Sequence, residues 1–391
     1  MHVALVGAFA FPYPQGSQVF FAQQARALMT EGARVTLVCY GRGEGAAPHD
    51  LTLVRTPLSP RKLASGPSPA KPFADLALAA SLARAHRRTP FDAVLAHNAE
   101  AALAALLVRP LLQRPVVYVA HTILAYELAS YAPPRFAPAL RGLGARIDHH
   151  VARRADAVIA LAHAGERALT PSARGPVLRI PPGLAPGRAP APEAIAAACR
   201  RHRLAPGGYA LYAGNLDAYQ DLAALAAAAR EIGVPVVVAT HASADAPAPL
   251  RTVHVGDAGE ARLLTFGAAV TLLARRVAGG FPIKLLNYME ASRAIVARAS
   301  VAESLVHQRS AWILADDAPP AAWAAAVNAL LADPAGTARL GAEARRTLER
   351  EHDPAALARD VLVLLARTHL TNSDRAGRGD SGRDRGAKAQ P

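Results

Sequence analysis

Short apolar runs alternate with longer amphipathic stretches along nearly the whole chain, and the alternation predicts most of its elements. In the first half the runs are His2–Gly7 (HVALVG), Arg34–Tyr40 (RVTLVCY), Leu51–Arg55, Ala93–His97 (AVLAH), Pro115–Ala120 (PVVYVA), Ala157–Ala160 (AVIA) and Val177–Ile180. Their length and Val content read as buried strands. Helix-like stretches lie between them: Ser17–Glu31, stopped by Gly32, then Phe73–Arg88 and Ala99–Val108. Repeated strand-then-helix order is the rhythm of a parallel, doubly wound sheet.

A Pro- and Gly-rich segment, Pro181–Pro192 (PPGLAPGRAPAP), reads as a linker. After it the alternation restarts, with strands at Tyr209–Ala213, Val234–Ala239, Thr252–Val255, Ala269–Leu273 and Ile295–Ala297. Helices are predicted from near Asp221, Ala258, Pro282, Val301 and Pro319, and two more close the chain at Pro334–Arg350 and Pro354–His369. The fold class is therefore α/β: two Rossmann-like, doubly wound parallel-sheet domains facing a central cleft. The expected division is 1–184 for the first domain, 185–205 for a linker and connecting helix, 206–353 for the second domain and 354–370 for a closing helix. Residues 371–391 (TNSDRAGRGDSGRDRGAKAQP) lack any large apolar side chain and are expected to be disordered. The stretch Ser59–Pro72 reads as a surface loop.

Composition narrows the class. Of 391 residues, 52% are hydrophobic, enough for large cores, so wholesale disorder is excluded. Two cysteines, Cys39 and Cys199, make neither a disulfide framework nor a Cys-rich zinc site and fit a reducing compartment. No leader-like N-terminus and no spanning apolar run is seen, so a cytoplasmic protein is expected. The formal charge is +14. It reflects either an Arg-rich composition or anionic partners such as phosphorylated substrates or lipid surfaces. With no helix-turn-helix turn, zinc finger or aromatic-basic platform, no nucleic acid partner is expected.

Ligands of doubly wound sheets collect beyond the carboxyl ends of the strands, which selects the residues that could carry chemistry. After the first strand, Gly16 and Ser17 open a helix whose N-terminus suits a phosphate; the plainer reading is a turn that Ser17 caps. His97 and His121 end two successive strands, where they either touch a sugar hydroxyl or phosphate or are satisfied structural residues. Glu127, six residues after His121, is either a carboxylate partner or a surface helix position. His149 and His150 lie in an Arg-rich helix and read as surface residues; no metal-ligand spacing is present, so no metal is expected. In the second half, Gly214 and Asn215 follow a strand directly. The segment RRVAGGFPIKLLNYMEASRAIVA carries the strongest signal. Its Gly280, Phe281 and Pro282 open a helix whose amides suit a diphosphate, with Arg275 and Lys284 as counter-charge.

At this segment the sequence resembles glycosyltransferase family 4, retaining enzymes of the GT-B fold, over most of residues 1–350. The resemblance rests on the Gly16–Ser17 loop, FDAVLAHNAEAALAA with VVYVAHT, RRADAVIAL, LYAGNLD and above all GGFPIKLLNYMEASRAIVA. It implies a nucleotide-diphosphate-sugar donor held mainly by the second domain, with Gly16, Ser17, Gly214, Asn215, Gly280, Phe281, Pro282 and Asn287 as binding residues. It implies an acceptor of lipid-linked, glycan or small-molecule type on the first domain, with His97 and Glu127 on the acceptor side, and catalytic roles for His121, Arg275 and Lys284. No cofactor and no metal are implied, and the last helix should cross back to the first domain. The sequence departs from the family at three places. Gly279 and Asn287 stand where a Glu-x7-Glu pair is common, Asn215 and the run Tyr219–Gln220–Asp221 replace an Arg and a Lys, and Ser292 replaces a Gly. The alternative is a catalytically weak or inactive GT-B protein acting as a binding or partner subunit. Arg135, Arg141, Arg146, Arg153 and Arg154, near Phe136, Leu140 and Leu143, form either a peripheral contact with anionic membrane on its inner face or a solvated helix face.

Overall fold

The computed structural model describes residues 1–380 other than 14, 42, 45, 58–69, 132, 134, 277 and 278. Its first sheet contains β1 (His2–Ala10), β2 (Arg34–Tyr40), β3 (Thr52–Arg55), β4 (Ala93–His97), β5 (Val116–Ala120), β6 (Ala157–Ala160) and β7 (Val177–Arg179). All pairings are parallel, in the order β3-β2-β1-β4-β5-β6-β7. The second sheet contains β8 (Ala210–Ala213), β9 (Val236–Thr240), β10 (Arg251–His254), β11 (Val270–Leu273), β12 (Ala294–Arg298) and β13 (Trp312–Leu314), also parallel, in the order β10-β9-β8-β11-β12-β13. Helices cover both faces, which is why the central strands read as unbroken Val/Ala/Leu runs: Val3–Val6 and Val116–Val119 are wholly buried. Each sheet reverses its winding beside its first strand, at β1/β4 and at β8/β11. Those two switch points are where a doubly wound sheet opens a crevice.

Several elements differ from the sequence reading. β1 runs on to Ala10 through a register shift after Gly7. β13 is an edge strand too short to show a pattern. The helix expected from Val301 is a single 3-10 turn, Ala299–Val301. The helix expected at Pro282 spans Lys284–Glu290; the Pro282 and Ile283 carbonyls accept from the N–H groups of Leu285 and Leu286, a tighter opening turn. Of the expected Ser59–Pro72 loop, residues 59–69 lie outside the described residues, and Lys71 and Pro72 open the helix Lys71–Arg88. The expected disorder from residue 371 is corrected in part, because the last helix spans Pro354–Asp380. Residues 381–391 lie outside the described residues.

The chain passes between the two sheets twice, and the two passages touch. The Leu184 N–H donates to the His352 carbonyl at 2.9 Å, and His352 Nδ1 donates to the Pro182 carbonyl at 2.8 Å. A Cβ on Gly183 would lie 2.9 Å from Pro354 Cα, so the crossing needs glycine there. The last helix then packs on the first-domain helix Gly16–Thr30, with Arg359 paired to Glu31 at 3.0 Å. One hydrophobic cluster joins the domains through Phe20, Ile180, Phe281, Leu285, Leu348 and Val361. Among the described residues, no helix is long and apolar enough to cross a membrane.

Candidate functional site

The second-domain crevice is built around a lysine. Lys284 begins its helix and reaches back to the end of β8, where its Nζ donates to the Tyr212 hydroxyl at 2.6 Å and to Gln220 Oε1 at 3.0 Å. Nζ also lies 4.0 Å from the Tyr212 ring centre. The Tyr212 hydroxyl in turn donates to the Asn215 carbonyl at 2.7 Å. A Cβ on Gly214 would come within 2.7 Å of Nζ, so glycine at this position makes room for the lysine. Every one of these partners is neutral. Loss of water pulls the Lys284 pKa well below its ordinary value, the nearby Arg275 charge pulls it further, and Asp217 opposes both.

Arg275 leaves the end of β11 and completes the same crevice. Its guanidinium stands 5.3 Å from the Tyr219 ring centre. Desolvation lowers its pKa too, against the influence of Tyr219 and Glu127. The run Tyr219–Gln220–Asp221, which replaces the expected cations in the sequence, is therefore what seats the two cations present. Gln220 holds Lys284, and Tyr219 faces Arg275. Asp221 is occupied elsewhere, paired with Arg276 at 2.7 Å and with the buried Arg298.

The two domains meet at Gly279 and Gly280. A Cβ on Gly280 would lie 2.5 Å from the His121 carbonyl oxygen and 3.0 Å from a guanidinium nitrogen of Arg275. Gly279 has φ +100°, a conformation that favours glycine, and a Cβ there would press on Ile123 and Tyr126 at 3.0 Å. Next along the chain, Ile283 would lie 3.1 Å from a Cβ on Gly16. The N-terminus of the helix Gly16–Thr30 thus abuts the start of the lysine helix.

On the first-domain side, His97 Nδ1 and His121 Nε2 share a hydrogen bond of 2.8 Å. Phe20 and Phe21 pack edgewise around them: Phe21 stands 4.8 Å from His97 and Phe20 stands 5.3 Å from His121, centre to centre. Burial depresses both imidazoles, His97 well below its ordinary value and His121 to about 3, so both are neutral near pH 7. His97 is wholly buried, which corrects the expectation of a direct acceptor contact: any effect it has on a ligand passes through His121. The loop that carries His121 is held by Asp148, whose carboxylate accepts from the Leu124 and Ala125 N–H groups at 3.2 and 3.0 Å; burial pushes Asp148 up to about 6. Glu127 accepts a hydrogen bond from Thr122, and burial raises its pKa.

The structure thus brings together Lys284, Arg275, Gly214, Gly280 and the His121 carbonyl. Asn215 spends its amide on Tyr219, Asp217 and Gln220, so it shapes the loop. Phe281 turns its ring into the core against His352, 5.4 Å away, and leaves only its backbone near the crevice; Pro282 is buried beside it. Asn287 is exposed, one turn beyond Lys284. Gly16 rather than Ser17 starts the first helix, with Gln15 as its cap. Sequence reasoning missed Tyr212, Tyr219, Gln220 and Asp148. No spacing rule reveals them, because each acts on a group far away in the chain. Among the described residues, no three His, Cys, Asp or Glu side chains stand together as a metal site.

Two parallel α/β sheets, each with its crevice at the switch point and turned to the other, define a GT-B protein. The chain superposes on sucrose-phosphate synthase (tll1590) from Thermosynechococcus elongatus with a TM-score of 0.78 and 15% identity, covering 95% of this chain and 99% of that one. Anabaena HepE (Alr3699), solved with UDP and glucose, gives 0.71 and 15% over 94% and 100%. WaaG, a glycosyltransferase involved in lipopolysaccharide biosynthesis, gives 0.66 and 14% over 93% and 99%. Residues 15–183 match the family model of the glycosyl transferase 4-like domain. No curated protein matches the chain by sequence.

Proposed function

We propose that the chain is a retaining glycosyltransferase that takes its sugar from a nucleotide-diphosphate donor bound at the β8/β11 switch point. The observation that carries this reading is Lys284, desolvated on neutral partners and beside a second cation, Arg275. Holding two like charges together away from water is costly, and a bound dianion offsets that cost. HepE, of the same fold, is solved with UDP and with UDP-glucose, which supports a donor of that kind. In this reading Lys284 and Arg275 stabilise the charge that develops on the leaving diphosphate, with no metal called for. The sugar–phosphate C–O bond breaks, the acceptor oxygen bonds to the same face, and its proton passes to the diphosphate. His121, neutral, donates a hydrogen bond to the transferred sugar.

The acceptor sits on the first-domain side in this account. A lipid-linked acceptor at an anionic membrane surface suits the helix Ala137–Arg154, where Phe136 and Leu143 are about half exposed among Arg135, Arg141 and Arg146. A second reading, a sugar-nucleotide-binding partner subunit, is favoured by Gly279 and Asn287, which bring no carboxylate to the crevice. A thermal-shift panel of UDP-, GDP-, ADP- and dTDP-sugars, followed by NMR of the product anomer, tests the proposal. The expected result is one stabilising donor class, and transfer or slow hydrolysis with the donor's anomeric configuration kept. Donor binding without turnover supports the partner-subunit reading, and no binding overturns both.

A further inference from the structure

A second charged cavity lies at the opposite end of the first sheet. Its volume is about 730 Å³, within the range of small-ligand sites, and it opens at the N-terminal ends of β6 and β7, away from the cleft. Five arginines line it, Arg109, Arg153, Arg154, Arg174 and Arg367, with a single carboxylate, Asp156. That carboxylate is committed: it takes Arg109 at 2.6 Å and the Val116 N–H at 2.8 Å, and its side chain is 6% exposed. Arg109 is further fixed by the Arg154 carbonyl at 2.9 Å. A Cβ on Gly175 would lie 2.0 Å from the Asp156 carbonyl oxygen, so the floor is built around a glycine.

Arg153 and Arg154 end the helix Ala137–Arg154, where basic residues complement the helix dipole. That explanation does not extend to Arg174, on the segment leading into β7, or to Arg367, on the last helix. Four separate elements bring guanidinium groups to one concavity, and guanidinium forks match phosphate oxygens. We propose that this cavity binds a phosphate-bearing anion and, through Arg367, ties the last helix to the first domain.

The phosphate belongs either to a soluble oligophosphate held in the cavity or to a phospholipid headgroup. Leu107 and Leu111, about 60% exposed beside Arg109, and Val363 and Leu370, on the Arg367 face of the last helix, would suit the lipid. Two probes separate the sources: calorimetric titration with inorganic tripolyphosphate, and co-sedimentation with phosphatidylglycerol vesicles against phosphatidylcholine ones. The double variant Arg153→Gln/Arg174→Gln changes only exposed side chains, and its melting temperature checks the fold. It should weaken binding of the effective probe at least tenfold and leave nucleoside-diphosphate binding unchanged, whereas Lys284→Ala should leave that probe's binding within twofold. Hydrogen exchange of residues 360–370 should slow when the probe binds. If neither probe binds, if binding survives the double substitution, or if only Lys284→Ala abolishes it, the proposal fails.

Discussion

The two switch points occupy the same place in two similar sheets and present opposite chemistry. Beside the first, at the ends of β4 and β5, stand two neutral imidazoles, wrapped by Phe20 and Phe21 and bonded to each other. Beyond β8 and β11 stand two cations, seated on tyrosines and a glutamine. Topology supplies a crevice in both cases, and the side chains at the strand ends decide what it can hold. Burial works on both pairs alike, disfavouring charge. The histidines respond by staying neutral and offering hydrogen bonds. The cations carry the same desolvation cost, which in the proposed reading a bound diphosphate offsets.

The sharpest way to break this contrast is His121→Ala. If the first-domain crevice touches only the reacting sugar, turnover should fall by about 10²–10³-fold, the range for a lost transition-state donor, while nucleoside-diphosphate affinity stays within a few-fold. Steady-state kinetics with calorimetry reads both. Near-native turnover would make the histidine pair structural. Gly280→Ala comes next. Its Cβ presses on the His121 carbonyl and crowds Arg275, so it should cost about 1–3 kcal/mol in the closed arrangement and weaken both crevices together. A loss confined to one of them would show that the crevices are not coupled there.

The smallest effect is a pH dependence. The folded chain keeps His121 neutral down to about 3, whereas unfolded imidazoles titrate near 6.5. Between those values the unfolded chain binds more protons, so this contribution to stability is lost as pH falls from about 6.5, by at most about 1.4 kcal/mol per pH unit for this group. Asp75 and Asp148, pushed up to about 6 by burial, act with the opposite sign. Denaturant unfolding of the wild type and of His121→Asn at pH 6.5 and 4.5 isolates the histidine as the difference. Equal pH slopes would contradict a buried neutral imidazole.

Much of the fold was legible because buried parallel strands write themselves as short Val/Ala/Leu runs between helices. The failures fall where that signal is absent. The three-residue β13 has no periodicity, and Val301 ends a single 3-10 turn where a helix is expected to begin. The last helix continues past Leu370 through a polar stretch that composition reads as disordered. At the site, Lys284 and Arg275 could be read from their nearness to Gly279–Pro282. Tyr212 and Gln220 could not, since their role exists only once β8 and the lysine helix are side by side, 72 and 64 positions apart in sequence. His97 and His121 were visible as strand ends, but their mutual hydrogen bond, which makes one of them a support for the other, depends on the pairing of β4 with β5.

The central claim is that the second-domain cations hold the diphosphate. Calorimetric titration of Lys284→Ala against wild type, with whichever nucleoside diphosphate stabilises the protein most, tests it most directly. The account predicts a loss of about 1.5–3 kcal/mol, the range for a hydrogen bond to a charged group, in a variant that keeps its fold by circular dichroism. Unchanged affinity in a folded variant would contradict it and place the diphosphate elsewhere.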